Sequence, residues 1–217
     1  MNSFLSSFSS LVLTILAIIP AMCIHEYAHG WMSYKLGDPS PKYDGRLSLN
    51  PLHHIDLLGA LFLIVFNFGW AKPVQVNPRY YKNPKRGMAL VALAGPVANF
   101  ILALLCLIVN NIILRVTGGS VGMVVYYLYD FFLLSAMVNV GLGVFNLIPL
   151  PPLDGSKVLA MFLPTRWYYN YMRIEQWGFV ALFLLLALGV LSRPLFYLRS
   201  GVLSYLDFIA TALVGIF

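Results

Sequence analysis

The sequence predicts an all-α polytopic membrane protein. The prediction specifies about five transmembrane helices, a short re-entrant or interfacial segment, and a small edge-strand or irregular loop region. Of the 217 residues, 60% are hydrophobic and only 10% are charged, whereas a soluble domain has about 25% charged residues. The mean hydropathy is +0.80. Five apolar stretches are each long enough to cross a bilayer as a helix, which takes about 20 residues.

The long apolar stretches lie at about residues 11–34, 87–115, 121–150, 174–192 and 196–217. A sixth stretch, at 57–69, has the length of a re-entrant or interfacial segment rather than of a full crossing. Little sequence remains for a second module. We therefore predict a single membrane-embedded domain over residues 1–217, with a core at about 11–160 and accessory C-terminal helices at about 174–217.

The stretch between the short apolar segment and the next helix, residues 69–86, alternates polar and apolar residues. It also contains Pro73, Pro78 and Pro84. Because proline cannot donate to a β-ladder, this composition favours an edge strand or an irregular loop. An edge strand would allow an extended peptide to pair with it. A basic interfacial loop accounts for the same residues equally well, and both interpretations stay open.

The first apolar stretch contains the motif HEYAH at residues 25–29. Helix positions four apart share one face, so His25 and His29 can direct imidazole nitrogens at one metal ion, with Glu26 beside the bound water. Ionisable groups inside a membrane helix are costly, about 2.5 to 3.5 kcal/mol for a central acid, and mark functional sites by default. We predict a catalytic metal site in which Glu26 takes a proton from the attacking water.

A third metal ligand has to come from another part of the chain, and Asp130 and Asp154 are the acidic candidates near membrane depth. Asp154 is better placed, because the prolines at 149, 151 and 152 end the preceding helix and leave irregular backbone. At membrane depth such backbone is tolerated only where it is buried in protein or lines a wet cavity. Asp154 is therefore the predicted third ligand.

This ligand set fixes a predicted topology. His25, His29 and Asp154 can share a metal only if the 57–69 segment enters and leaves the membrane on one side. On that topology eleven of the 14 basic residues share the side of the catalytic ends, and Arg115, Arg193 and Arg199 lie opposite. The positive-inside rule assigns the first group to the cytoplasm. We therefore expect the N-terminus outside and the C-terminus in the cytoplasm.

Several motifs accompany HEYAH in a fixed order: NPLHHIDLLG at 50–59, FGWAKPVQVNP at 68–78, AGPVANF at 94–100 and NLIPLPPLDG at 146–155. Together they resemble the site-2 protease family of intramembrane metalloproteases, over about residues 20–160. The resemblance implies cleavage of membrane-spanning protein substrates near the cytoplasmic face. It also implies one zinc ion per chain at His25, His29 and Asp154, with Glu26 as the catalytic glutamate.

Two amides lie within apolar helices. Asn99 and Asn146 are candidates for contact with a substrate backbone or a tetrahedral oxyanion, and joining helices is the equally good alternative. His54 and Asp56 precede the short segment. They are candidates for orienting a metal ligand, although a capping role suits them better.

The partners expected are a membrane-spanning substrate and the lipid bilayer, in a multi-pass protein of a prokaryotic cell membrane. The net charge of +6 does not indicate nucleic acid, because the basic residues lie in loops that flank apolar stretches. The alternative from another functional class is a membrane metal or ion transporter, since intramembrane histidines and acids also mark ion paths. A two-histidine, one-carboxylate set also suits iron.

Overall fold

The computed structural model describes residues 2–56, 58–59, 61–62, 72–118, 122–173 and 175–215. Over these ranges the helices of at least four residues are α1 (Asn2–Lys35), α2 (Ser40–Tyr43), α3 (Pro84–Thr117), α4 (Met123–Asn146), α5 (Asp154–Phe162), α6 (Thr165–Arg173), α7 (Glu175–Ala187) and α8 (Ser192–Gly215). Residues 58–59 and 61–62 are also helical. Short 3₁₀ turns lie at Pro51–His53 and Pro78–Tyr80. The described residues contain no β-strand. The predicted all-α class is confirmed.

Within the described ranges, four helices are long and apolar enough to cross a membrane, at Ser10–Lys35, Pro84–Thr117, Met123–Asn146 and Ser192–Gly215. The chain is thus a multi-pass membrane protein. The fifth predicted crossing corresponds to α7, which has 13 residues. At 1.5 Å per residue α7 is about 20 Å long, whereas the hydrocarbon core of a bilayer is about 30 Å thick.

Both ends of α3 are determined by local sequence. Asn83 caps the N-terminus, its side chain accepting a hydrogen bond from the Arg86 amide at 3.1 Å, and Pro84 occupies the first turn, where no intrahelical N–H is needed. At the other end Gly118 has φ +57°, a left-handed conformation that glycine adopts without a Cβ penalty. The helix therefore extends over the whole apolar stretch.

Helix α3 lies at the centre of the bundle and contacts α1, α4, α5 and α8. It runs antiparallel to α1, since Asn99 contacts Ala21 whereas Val91, earlier on α3, contacts His29, later on α1. It is also antiparallel to α4, because Asn99 contacts Asn139 whereas Asn110 contacts Tyr129. Small residues allow this close packing. The apolar core that α3, α4 and α8 share consists of Ala103, Cys106, Leu107, Ala136, Val140, Val144 and Ala210.

Helix α8 runs parallel to α3, which corrects the predicted topology. Asn111 Nδ2 donates to Thr211 Oγ1 at 3.1 Å, and the Arg115 guanidinium donates to the Val214 carbonyl. The C-terminal end of α8 therefore lies at the same end of the bundle as the N-terminal end of α1. The prediction that the termini lie on opposite sides is wrong.

The topology differs from the prediction because α7 is too short to cross the bundle. A turn at Gly189, where φ is +71°, follows α7. Helix α8 consequently starts in the half of the bundle that contains the ends of α1 and α4, with Arg199 beside Gly141. Arg193 and Arg199 thus belong to this half, contrary to the prediction. Of the 14 basic residues, all of them in described ranges, Arg115 is the one at the opposite end.

Residues 72–77 have no regular secondary structure. Of the two predicted alternatives, these described residues therefore form an irregular segment and not an edge strand. The segment begins with a hydrogen bond from the Lys72 amide to the His54 carbonyl at 2.9 Å. Residues 57, 60 and 63–71 lie outside the described residues. The re-entrant segment predicted at 57–69 therefore stays a prediction.

Candidate metal centre

Three predicted ligand side chains converge where α1, α3 and α5 meet. His25 and His29 lie one turn apart on α1, and Asp154 is the first residue of α5. Asp154 Oδ2 lies 3.2 Å from His25 Nε2 and 3.2 Å from His29 Nε2. All three residues are buried, with 5%, 9% and 7% of their surface exposed. Within the described residues they form the single cluster able to hold a metal ion.

The spacing of these atoms fits zinc. A tetrahedral zinc ion lies about 2.0–2.1 Å from nitrogen and carboxylate ligands, so two ligand atoms that share it are separated by about 3.3 Å. Both nitrogen-to-oxygen distances, at 3.2 Å, are close to this value. Two histidines and one carboxylate also leave a fourth position for water, as catalytic zinc sites do.

The orientation of His25 is fixed by an asparagine pair. The Asn99 amide nitrogen donates to the Ala21 carbonyl and to Asn139 Oδ1, so Asn99 Oδ1 faces His25 Nδ1, at 2.5 Å. Asn139 is oriented in turn by the Ser135 carbonyl, which accepts from its amide nitrogen at 2.8 Å. An oxygen acceptor requires the hydrogen on Nδ1, which leaves the Nε2 lone pair of His25 for a metal.

His29 is oriented in the same way by a backbone group. Its Nδ1 lies 2.7 Å from the Val91 carbonyl of α3, so Nδ1 carries the hydrogen and Nε2 again faces the shared position. Because both contacts come from α3, the distance between α3 and α1 sets the orientation of the two imidazoles. The tautomers of both histidines therefore suit metal binding.

Gly95 allows α3 to approach the ligands closely. A Cβ at this position would lie 2.5 Å from His29 Nε2 and 2.7 Å from His25 Cε1, far inside normal contact distance. The atoms that α3 approaches at this point belong to the two imidazoles. The geometry of the site therefore requires a glycine at position 95.

Asp154 is presented by the proline-rich turn after α4, as predicted. Gly155 packs against the Leu147 carbonyl, where a side chain would not fit. The turn is also held from outside, since the Tyr171 hydroxyl donates to the Pro149 carbonyl at 2.7 Å. The second carboxylate oxygen of Asp154, Oδ1, lies 3.9 Å from Lys157 Nζ. The aspartate therefore turns one oxygen toward the histidines and the other toward a cation.

Glu26 faces a cavity of about 200 Å³ that the three ligand residues also line. One oxygen of its half-buried carboxylate, Oε2, accepts a hydrogen bond from the Val74 backbone amide at 3.1 Å. The apolar part of the wall comes from Pro73, Val74, Val76, Met88, Val91, Ala92 and Pro152, and the remaining polar lining from Asn146 and Lys157. A carboxylate beside the metal position is suited to move protons.

The two predicted amides have different surroundings. Asn146 lines the cavity, and its amide nitrogen donates to the Leu142 carbonyl at 3.0 Å. Asn99 is fully buried behind His25, a geometry that favours holding the imidazole over contact with substrate. His54 and Asp56 do not line the cavity. Asp56 has a local capping role, because its Oδ1 accepts a hydrogen bond from the Gly59 amide at 2.8 Å.

Sequence reasoning missed Asn139 and the backbone groups of Val74 and Val91. Asn139 carried a usable signal, because it is an amide within an apolar helix, as Asn99 is. The two backbone contacts carried none, since any residue type supplies an amide and a carbonyl.

Comparisons with known proteins agree with the geometry. A family model described as Peptidase family M50 matches residues 107–188. YwhC of Bacillus subtilis (strain 168), a candidate zinc metalloprotease, is 36% identical over 176 residues, which is 79% of this chain and 78% of the relative. Rip2 of Mycolicibacterium smegmatis, also a candidate zinc metalloprotease, is 31% identical over 205 residues, 90% of this chain and 76% of the relative. None of the solved structures matches the chain.

Proposed function

Because the chain belongs to peptidase family M50, the site-2 protease family of membrane zinc metalloproteases, we propose that it cleaves membrane-embedded segments of other proteins. The proposed ligands of the zinc are His25, His29 and Asp154, and the proposed proton carrier is Glu26. The observation that carries the proposal is the convergence of His25, His29 and Asp154, with Asp154 Oδ2 3.2 Å from both imidazole Nε2 atoms, beside the Glu26 carboxylate that lines the same cavity.

Zinc, when bound, supplies a Lewis acid that activates water and polarises a peptide carbonyl. The protein's residues then have distinct tasks. Glu26 accepts the proton of the attacking water and delivers it to the amide nitrogen that leaves. The Val74 amide holds Oε2 of Glu26, so the other oxygen is available for that proton. Asn146 and Lys157, which line the cavity, are candidates for contact with the peptide carbonyl as it gains negative charge.

Helical secondary structure in a substrate is incompatible with cleavage at this site. In an α-helix each peptide carbonyl accepts a hydrogen bond from the amide four residues further on, so the bond cannot lie extended across the metal position. A transmembrane substrate therefore has to unwind locally, and helix-breaking residues near the cleaved bond should accelerate cleavage.

The distribution of basic residues supports cleavage near the cytoplasmic face. All basic residues except Arg115 lie in the half of the bundle that contains the metal centre. The positive-inside rule places such a half on the cytoplasmic side. Both ends of the chain would then lie outside.

The test uses three purified proteins in detergent: the wild type, Asp154→Ala and Glu26→Gln. We expect about one zinc per chain in the wild type and in Glu26→Gln, and a sharp loss in Asp154→Ala. The substrates are two synthetic peptides with about 20 apolar residues, with and without a central Asn-Pro pair, and products are identified by mass spectrometry.

Only the wild type should cleave, and the Asn-Pro peptide should be cleaved faster. Cleavage by Glu26→Gln would refute the role of the glutamate, and zinc binding indifferent to Asp154 would refute the ligand set. Equal cleavage of the two peptides would refute local unwinding.

A further inference from the structure

A buried carboxylate outside the metal centre connects α1 to the irregular segment 72–77. Asp38 has 0% of its surface exposed. Its Oδ2 accepts hydrogen bonds from the Asn77 amide at 2.7 Å and from Ser33 Oγ at 2.8 Å, and Oδ1 accepts from the Ser40 amide at 3.0 Å. No ion pair to Asp38 occurs in the described ranges. A buried charge without a counter-ion persists only where hydrogen bonds satisfy it.

These hydrogen bonds keep Asp38 ionised. Burial raises the pKa of its carboxyl group, but the donors on Ser40, Asn77 and Ser33 outweigh burial and hold the pKa below its usual value. The carboxylate is therefore charged at neutral pH and makes charge-assisted hydrogen bonds, which are about twice as strong as neutral ones.

Local sequence directs Asp38 back toward α1. Gly37, with φ +104°, ends the helix in a left-handed turn, and the Asp38 amide donates to the Ser33 carbonyl at 3.1 Å. Since Ser33 Oγ donates to Asp38, the Tyr81 hydroxyl, 2.6 Å away, is the donor to Ser33. This chain of bonds links the end of α1 to the residues that precede α3.

The segment that Asp38 holds is also the one that contacts Glu26. Three of its backbone amides have partners: Lys72 donates to the His54 carbonyl at 2.9 Å, Val74 to Glu26 Oε2 at 3.1 Å, and Asn77 to Asp38. The segment has no helix or ladder bonds of its own. The position of the Val74 amide therefore depends on the two anchors that flank it.

We propose that Asp38 is a positioning residue for the reaction: by holding Asn77 it fixes the segment 72–77, whose Val74 amide orients the Glu26 carboxylate. This inference rests on the proposed function of Glu26. It assigns Asp38 no contact with zinc or substrate, and it separates the residues that orient the proton carrier from those that orient the metal ligands.

The experiment compares zinc-loaded wild type with Asp38→Ala, which removes the acceptor of the Asn77 amide. Amide hydrogen exchange in residues 72–77 is measured by mass spectrometry, together with zinc content and cleavage of the Asn-Pro peptide. We expect normal zinc content, about tenfold faster exchange, and a fall in kcat of at least about tenfold with KM changed less than about threefold. A residue that merely stabilised the fold would leave kcat per zinc-loaded molecule unchanged.

Tyr81→Phe is the matched control, because it removes the outer hydroxyl of the network and keeps the bond between Asp38 and Asn77. It should leave exchange and kcat near wild type. Asp38→Asn keeps the shape of the side chain and replaces charged hydrogen bonds by neutral ones, so it should give smaller changes in exchange and kcat, in the same direction as Asp38→Ala. If Asp38→Ala does not fold, Asp38→Asn provides the test.

Three outcomes would overturn the inference: unchanged exchange in both Asp38 variants, unchanged kcat despite faster exchange, or an equal loss in Tyr81→Phe. If the wild type cleaves no peptide, the proposed function fails. The exchange data then still decide the anchoring role, since faster exchange in the Asp38 variants supports it and unchanged exchange refutes it.

Discussion

Gly95→Ala introduces one methyl group between α3 and the two histidines. The new Cβ would lie 2.5 Å from His29 Nε2 and 2.7 Å from His25 Cε1, whereas non-bonded carbon atoms approach to about 3.5–4.0 Å. The imidazole of His29 would have to retreat by about 1 Å, or α3 would have to move outward by a similar distance. Either displacement exceeds the tolerance of about 0.2 Å for zinc–ligand distances.

The expected result is a loss of zinc affinity of at least about 100-fold, since altering contacts that only orient ligands already costs 10–100-fold. Overpacking should also destabilise the protein by about 1–3 kcal/mol. Competition with a chromophoric chelator measures the affinity, and elemental analysis counts zinc per chain. The melting temperature of the metal-depleted protein reports the packing cost separately.

Gly141→Ala is the matched control, because Gly141 also lies within a spanning helix but has room for a methyl group. Its nearest neighbour would be Arg199 Cδ at 3.7 Å, an ordinary van der Waals contact. This variant should bind zinc as the wild type does. Wild-type zinc affinity in Gly95→Ala would refute the claim that α3 sets the position of the imidazoles.

Three further predictions concern other contacts. Asn99→Ala removes the acceptor of His25 Nδ1 and should weaken zinc binding by about 10–100-fold in the chelator assay. The control Asn111→Ala, far from the site, should bind zinc as the wild type does, and equal zinc affinity in the two variants would contradict the role assigned to Asn99. Alkaline phosphatase fused after Phe217 should be active, because the end of α8 is expected outside the cell, and an inactive, fully translated fusion would reverse that orientation. The folded-state pKa of Asp38 is below its unfolded value of about 3.9, so its charged form contributes stability above that value and loses it as pH falls through the folded pKa. The melting-temperature difference between wild type and Asp38→Asn should therefore be constant from about pH 5 to 8 and shrink below about pH 4; a difference that changed between pH 6 and 8 would contradict this pKa.

The convergence of the three proposed ligands was predictable because each of them carries a local signal. His25 and His29 are four residues apart in an apolar helix, and the helix period puts them on one face. Asp154 follows prolines that end a helix at membrane depth, where irregular backbone has to be enclosed by protein. Ionisable side chains at membrane depth are costly, so their presence at these positions indicates a functional site.

The direction of the last helix was not predictable in the same way. The apolar stretch at 174–192 has the composition of a crossing, but its helix ends at Ala187, and the turn at Gly189 returns the chain. Apolar length sets only an upper limit on a span. The contacts of Asn111 and Arg115 with α8 decide its direction, and such pairings between distant helices leave no trace in composition.

The two proposed histidine ligands and the proposed proton carrier lie on helix α1, yet different parts of the chain orient them. Asn99, Val91 and Gly95, all on α3, fix the two imidazoles, while the segment 72–77 contacts Glu26. Packing defects on α3 should therefore remove zinc, and with it all activity. Defects at the Asp38 anchor should leave zinc bound and slow the proton transfer, because no bond in that network involves a metal ligand. Zinc content and turnover of the zinc-loaded protein would consequently respond to different sets of mutations, and a variant of Asp38 that lost zinc in proportion to activity would show that the two networks are one.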